Sequence, residues 1–375
     1  MVFYPDTVIE WQDGVFNRVE PLAGREAPPG AKRQAGVAIP GLIDAHIHLA
    51  LDGTPDVVSS LQRMPEHQVK NLIRETARTY LEAGITSVRD LGSPGGVVGQ
   101  LVDEGSLPLP DSPRIYPAQA ISTPTGHGNF IARHAETFSE YRNIIDSLKP
   151  SIHPFLKVFA SGGVITSGSD PAGLQMSLDL LRQVTDYAHD KGFRVAAHAH
   201  SHTSIANCVA AGVDTIEHFS YLDQSLAETV AGSSSHLVST YVATHRFANH
   251  PEKFGAEPEA VEKIILHDTV EAAALRLAAT IPGNVIAGSD SGTILNPHPR
   301  ALHEAGNLMV QSGFSDHEAL VSMTSRSALA LGIDAGQIEV GKPADAVILA
   351  EDPTSSIAAL GSITQVIIGG ITLSK

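Results

Sequence analysis

Eight times along this chain a short apolar, β-branched run ends in a polar residue and gives way to a helical pattern. The runs are Ala38–His48, Thr86–Gly92, Arg114–Ala120, Phe155–Ser161, Arg194–His200, Thr215–Ser220, His236–Val242 and Asn284–Asp290. Helix-like stretches lie between them, among them Gln68–Ala83, Leu174–Lys191, Ser201–Ala211 and Pro258–Ala278. Strands alternating with helices imply parallel pairing through right-handed crossovers. Eight such units imply a closed (β/α)8 barrel, the TIM barrel of the α/β class. An open, doubly wound sheet would need a Gly-rich phosphate turn after its first strand, and none stands there.

The two ends follow another pattern. Thr7–Trp11 and Gly14–Val19 alternate and are broken by Gly and Pro, as are Gln337–Val340, Ala344–Leu349 and Ile363–Leu373. Gly341-Lys342-Pro343 and Gly369-Gly370 mark turns. These are hairpin signals. The expectation is a small β-sandwich domain from residues 1–38 and 337–375, beside a barrel spanning 39–336. A chain of 375 residues has room for both.

The polar residues that close the runs carry the chemistry. Residues two apart on a strand share a face, so His46 and His48 project together at the carboxyl end of the first strand, where barrel enzymes keep their sites. Neutral imidazole is the commonest protein metal ligand; two buried histidines making ordinary hydrogen bonds is the alternative. The fifth run ends His198-Ala199-His200, the sixth reads Glu217-His218, and the eighth ends Ser289-Asp290. Three more metal-type ligands, His198, His218 and Asp290, thus stand at strand ends that converge on the barrel axis. His200 sits at the mouth, to touch substrate or support the site. Lys157 lies inside the apolar strand Phe155-Leu156-Lys157-Val158-Phe159. An inward lysine is costly unless paired or neutralised; an outward one would snorkel to water. Carboxylated and placed between two metals, it would become a bridging anionic ligand.

These residues carry a family resemblance. The chain resembles the amidohydrolase superfamily, and within it the imidazolonepropionase-related and prolidase-like branch. The likeness rests on Pro40-Gly41-Leu42-Ile43-Asp44-Ala45-His46-Ile47-His48, Gly84-Ile85-Thr86-Ser87-Val88-Arg89-Asp90 and Lys157-Val158-Phe159-Ala160-Ser161-Gly162-Gly163. It continues through His198-Ala199-His200, Glu217-His218, Gly288-Ser289-Asp290 and the run from Gly336 to Asp345. The resemblance implies that His46, His48 and Asp290 hold one divalent metal, zinc being the expected ion. It implies that His198 and His218 hold a second and that carboxylated Lys157 bridges the pair. A bridging hydroxide would be the nucleophile, with Asp290 as general base and then general acid.

Around this core stand candidate substrate contacts. His127 lies in the Gly-rich loop Ser122–Asn129, and relatives have a similar Gly-His-Gly turn near the substrate. Thr125 and Asn129 depart from that pattern, and Phe219 stands where glycine is more usual; these positions shape substrate, so a peptidase assignment does not follow from the motifs alone. Tyr241, near His245 after the seventh run, could donate to a developing oxyanion or simply fill core. Arg300, after the eighth run, is a possible carboxylate clamp; Arg89 reads better as an internal partner of a nearby acid. His134, His153, His202, His298 and His303 have no assigned role, most of them being expected to face solvent or lie in loops.

The expected activity is binuclear hydrolysis of an amide C–N bond in a small molecule, a dipeptide or an N-acyl amino acid. Ureas, carbamates and cyclic amides are rival substrates. Lys157 speaks against a mononuclear deaminase, and six competent ligand positions speak against an inactive scaffold. A net charge of −16 argues against nucleic acid or an anionic membrane as partner. The lone cysteine, Cys208, excludes an internal disulfide and fits a reducing compartment. Residues 1–14 do not read as a signal peptide, and no apolar run reaches the roughly 18 residues that span a bilayer. A cytoplasmic protein is expected, and relatives suggest a homo-oligomer. Specificity is expected in the loops Leu49–Arg63, Ser122–Tyr141, Thr244–Pro258 and Gly292–His303.

Overall fold

A computed structural model describes residues 6–164, 169–253 and 258–373. Residues 1–5 and 374–375 of the terminal segments, and 254–257 of the Thr244–Pro258 loop, lie outside the described residues. The strands are β1 (Thr7–Gln12), β2 (Val15–Pro21), β3 (Val37–Pro40), β4 (Leu42–Ile47), β5 (Ile85–Asp90), β6 (Arg114–Ser122), β7 (Arg133–His134) and β8 (Phe155–Phe159). There follow β9 (Arg194–Ala199), β10 (Thr215–His218), β11 (His236–Ser239), β12 (Val285–Ala287), β13 (Ala346–Leu349), β14 (Ile363–Ile368) and β15 (Ile371–Leu373).

Eight strands pair in the order β4-β5-β6-β8-β9-β10-β11-β12, with the two-residue β7 on the side of β6. The ring closes between its first and last members. The amide of Asp290 donates to the carbonyl of His46 at 2.7 Å, and that of His48 to the carbonyl of Ser291 at 2.9 Å. Inside, Phe155, Ala196, Val238 and Ile286 pack with Ile43, Ala45 and the helix residues Ala328 and Leu331. This apolar plug fills the end of the barrel where the strands begin. Two residues after Phe155 comes Lys157, and two after Ala196 comes His198, so the same strand faces turn polar toward their carboxyl ends.

The outer helices follow their apolar stripes. Glu66–Glu82 buries Val69, Ile73, Ala77 and Tyr80, three to four residues apart; Val69 and Ile73 each stabilise the fold by about 1.5–3 kcal/mol on burial. Phe138–Asp146 starts at a capping box of Thr137 and Glu140. No helix among the described residues is long and apolar enough to cross a membrane.

The terminal segments form antiparallel sheets, β1-β2 and β15-β14-β13-β3, joined by bonds such as Phe16 N to Lys342 O at 2.9 Å and by a cluster of Phe16, Ala344, Ala346 and Ile367. Three sequence expectations need correction. The run Ala38–His48 is two strands: β3 belongs to the small sheet and β4 to the barrel. They part at Gly41, where a β-carbon would come within 2.0 Å of the Thr86 hydroxyl. The seventh run stops at Ser239, and Tyr241 instead opens a helix, Tyr241–Asn249. Gln337–Val340 forms no strand.

Candidate metal centre

The carboxyl ends of the barrel strands surround a cavity of about 370 Å³. Its floor carries His46 and His48 from the end of β4, Lys157 from β8, His198 and His200 from the end of β9, His218 from β10, and Asp290 just past β12. His127 reaches it from the loop after β6. The imidazoles touch in sequence. Ring centroids lie 5.4 Å apart for His46–His48, 5.1 Å for His46–His218, 4.5 Å for His198–His218 and 4.4 Å for His127–His198. Asp290 Oδ1 is 3.4 Å from His46 Nε2 and 3.5 Å from His48 Nε2. Ligand-type atoms of His46, His218 and Asp290 all fall within 4.8 Å of one another.

Each imidazole spends one nitrogen on the protein and leaves the other for the cavity. His46 Nδ1 donates to Glu217 Oε2 at 2.8 Å, and His48 Nδ1 donates to the carbonyl of Gly92 at 3.1 Å. His218 Nδ1 pairs with the Thr240 hydroxyl at 2.7 Å. His198 is turned the other way: Nε2 donates to the carbonyl of Gly162 at 3.0 Å, which leaves Nδ1 free to ligate. Glu217 is held in turn by Arg89, whose guanidinium also donates to Thr215 and to the carbonyl of Ala45. Arg89 and Glu217 are fully buried. Arg89 is thus the internal partner of an acid, as its sequence suggested.

Burial dominates the electrostatics. It pushes His48 down to about 3 and His127 down to about 4, and holds His46, His198 and His218 well below the ordinary imidazole range. The rings are neutral, as ligands must be. Burial also lowers Lys157 and raises Asp290, against their mutual attraction. Neither Lys157 Nζ nor Asp290 Oδ1 has a hydrogen-bond partner, and both atoms are buried. Such orphans are expensive. A set of neutral imidazoles, one carboxylate and one desolvated lysine with two unpartnered atoms fits divalent cations.

The local backbone is strained where the ligands turn inward. His218, Phe219 and Asp290 have φ of 75°, 45° and 52°, a left-handed region that costs a residue with a β-carbon roughly 1–2 kcal/mol. This is why glycine would be the ordinary choice at 219. It also lets the adjacent Glu217 and His218 both reach His46, which an ideal strand would forbid.

A match to the amidohydrolase family covers residues 37–373. The chain belongs to the amidohydrolase family. Over 355 residues it is 26% identical to an ochratoxinase of Aspergillus niger, covering 86% of this chain and 72% of that one. It is similar to a prolidase complexed with N-methylphosphonate-L-proline, at 25% identity and a TM-score of 0.85, over 98% of this chain and 94% of that one. A Xaa-Pro dipeptidase with bound methionine shares the fold, with a TM-score of 0.84 at 22% identity, over 98% and 94% of the two chains. This amidohydrolase is a metal-dependent hydrolase of amide C–N bonds.

Other sequence candidates are placed as follows. Gly163 lies so close to the His127 ring that a β-carbon there would meet it at 2.2 Å; His127 is thereby packed against the floor. Tyr241 does not line the cavity. Because the strand ends at Ser239, its hydroxyl points to His245, which pairs with Asp268 at 3.2 Å. Arg300 is exposed before the helix Ala301–Gln311 and does not line the cavity either. His298, in a loop, and His303, on a helix, are half-buried and make internal bonds to the carbonyls of Leu51 and Ala83. The reading of the sequence missed Glu217, Thr240, Ser220 and Glu271 as supports. Only Glu217 left a signal, an acid beside a strand-end histidine.

Proposed function

We propose that the chain is a binuclear hydrolase of N-acyl amino acids with an apolar acyl group. The supporting observation is the six-residue set His46, His48, Lys157, His198, His218 and Asp290 at the floor of one cavity, with Lys157 Nζ and Asp290 Oδ1 unpartnered. His46, His48 and Asp290 would hold one cation and His198 and His218 the other, with zinc suited to the nitrogen-rich set. Two such cations supply Lewis acidity and an acidified water. The amine of Lys157, kept low in proton affinity by burial, can add carbon dioxide and release a proton, giving an anionic carbamate that would help to hold the cations.

The protein's own groups do the rest. Asp290 takes the proton of the attacking water and hands it to the leaving nitrogen. His127 and His200 line the cavity as polar contacts for the substrate. Val57, Val58, Phe130, Phe247, Ile264 and Ile294 form apolar walls that exclude water and accept an acyl chain. Among the described lining residues Asp290 is the only carboxylate, so nothing is spare to pair the ammonium of a dipeptide. The family's prolidase relatives support amide cleavage; the walls support the acyl group.

The test is metal content per chain of wild type and Lys157→Ala, with hydrolysis of N-acyl amino acids and dipeptides measured alongside. Two metals and preferential cleavage of apolar N-acyl substrates, both falling in the variant, support the reading. One metal, unchanged in Lys157→Ala, refutes the bridge; a preference for dipeptides refutes the substrate class.

A further inference from the structure

Beside the floor lies a second buried polar group. Ser220, two residues past β10, sits at the centre of His200, His267 and Glu271. Its hydroxyl oxygen is 2.6 Å from His200 Nδ1, 2.8 Å from Glu271 Oε1 and 3.2 Å from His267 Nε2. His267 and Glu271 are one turn apart on the helix Pro258–Ala278. All four residues are more than nine-tenths buried. Only His200 lines the cavity. The second oxygen of Glu271 has no partner, and a buried polar atom left unpaired is costly.

Counting protons fixes the direction of the network. A carboxylate accepts only, so the single hydroxyl proton of Ser220 goes to Glu271. Ser220 Oγ can then only accept from His200 and His267. His200 Nδ1 therefore carries its ring proton, and Nε2 is left as an acceptor for the cavity. The ring stands 4.5 Å from His198 and stacks on His218 at 4.9 Å, so its orientation also sets the space beside both.

We propose that Glu271 is a positioning residue for the hydrolysis: acting through Ser220, it holds His200 with Nε2 turned to accept a hydrogen bond from the substrate. The proposal rests on the hydrolase reading above. It adds a positioning role to the helix Pro258–Ala278, which already lends Ile264 to the cavity wall.

The holoenzyme with Ser220→Ala, Glu271→Gln, both together, and Ser220→Thr tests it. Two readouts are needed: kcat and KM on the best N-acyl substrate, and the His200 tautomer by 15N NMR of histidine-labelled protein, assigned with His200→Gln. Misplaced contacts of this kind lower rate by up to about 10²-fold. Each single variant is expected to lose about tenfold in kcat with little change in KM or metal content, and to lose the Nδ1–H form. Ser220→Thr restores both. The double variant is no slower than Ser220→Ala, since Glu271 acts only through Ser220. Additive losses, or an unchanged tautomer in Ser220→Ala, overturn the proposal. So does loss of one metal equivalent in Glu271→Gln, which would make the cluster a cation site. If wild type cleaves no amide, the hydrolase reading fails by itself, and the tautomer in Ser220→Ala still decides whether the network positions His200.

Discussion

On the flank of His46 and His48, the groups that hold the imidazoles belong to the barrel strands or their immediate ends: Glu217 on β10, Arg89 on β5, the carbonyl of Gly92 just past β5. On the flank of His198, His200 and His218, they are the carbonyl of Gly162, the hydroxyls of Thr240 and Ser220 just past their strands, and, through Ser220, Glu271 on a helix outside the strands. The first flank is set by the ladder that also closes the barrel. The second also draws in a carboxylate from a helix outside the strands. A family that keeps one chemistry and changes its substrates gains from such a division, because loops can be remodelled beside a fixed half-site.

Four experiments bear on that contrast. Asp290 sits against both histidines of the rigid flank, and Asp290→Asn removes the proton carrier. Activity should fall about 10²–10⁴-fold, measured as kcat; a variant within tenfold of wild type would deny Asp290 that role. Next comes the pairing of supports. Glu217→Gln leaves the buried Arg89 guanidinium without its counter-charge, and a loss of about 3–5 kcal/mol is expected in denaturant unfolding. Thr240→Val, its counterpart on the other flank, should leave unfolding nearly unchanged and weaken metal binding about tenfold, read by competition with a chelator. Equal losses of stability would erase the contrast.

The third experiment concerns acid. Burial holds His298 down to about 4, while an unfolded imidazole takes its proton near 6.5. As pH falls the unfolded chain protonates first, so stability declines between about pH 6.5 and about 4. His298→Gln should therefore show a smaller drop in Tm from pH 7 to pH 5 than wild type. The smallest effect is expected at Arg300, which lies off the cavity. Arg300→Ala should keep kcat and KM within about twofold, as surface changes do; a large rise in KM for a carboxylate substrate would restore it as a clamp.

What could be read from the sequence follows the same division. Strand ends obey a period of two, so His46 with His48, and Lys157 inside its apolar run, stood out before any coordinates. The eight units were legible because each apolar run is short and each is followed by a helical stripe. Tyr241 was misplaced because Val238, Thr240 and Val242 prolong a β-branched run past the point where the chain turns into a helix. Ser220 and Glu271 gave no signal, since what makes them a pair is a contact between a strand end and a helix 51 positions on. Phe219 stands where glycine is more usual in the pattern the chain resembles, and its φ of 45° is the left-handed conformation that glycine adopts most readily.

The barrel closes where β4 meets the segment after β12, and it is this seam that brings His46 and Asp290 together. Among the barrel strands theirs are made first and last, with six barrel strands between them. Loop closure over that span is slow and comes late. Nascent chains that lack the last unit, or folding intermediates with an open seam, hold the histidines of β4 without the carboxylate. Full metal loading is therefore expected only after the seam has closed, and a chain cut before Asp290 would lack that ligand.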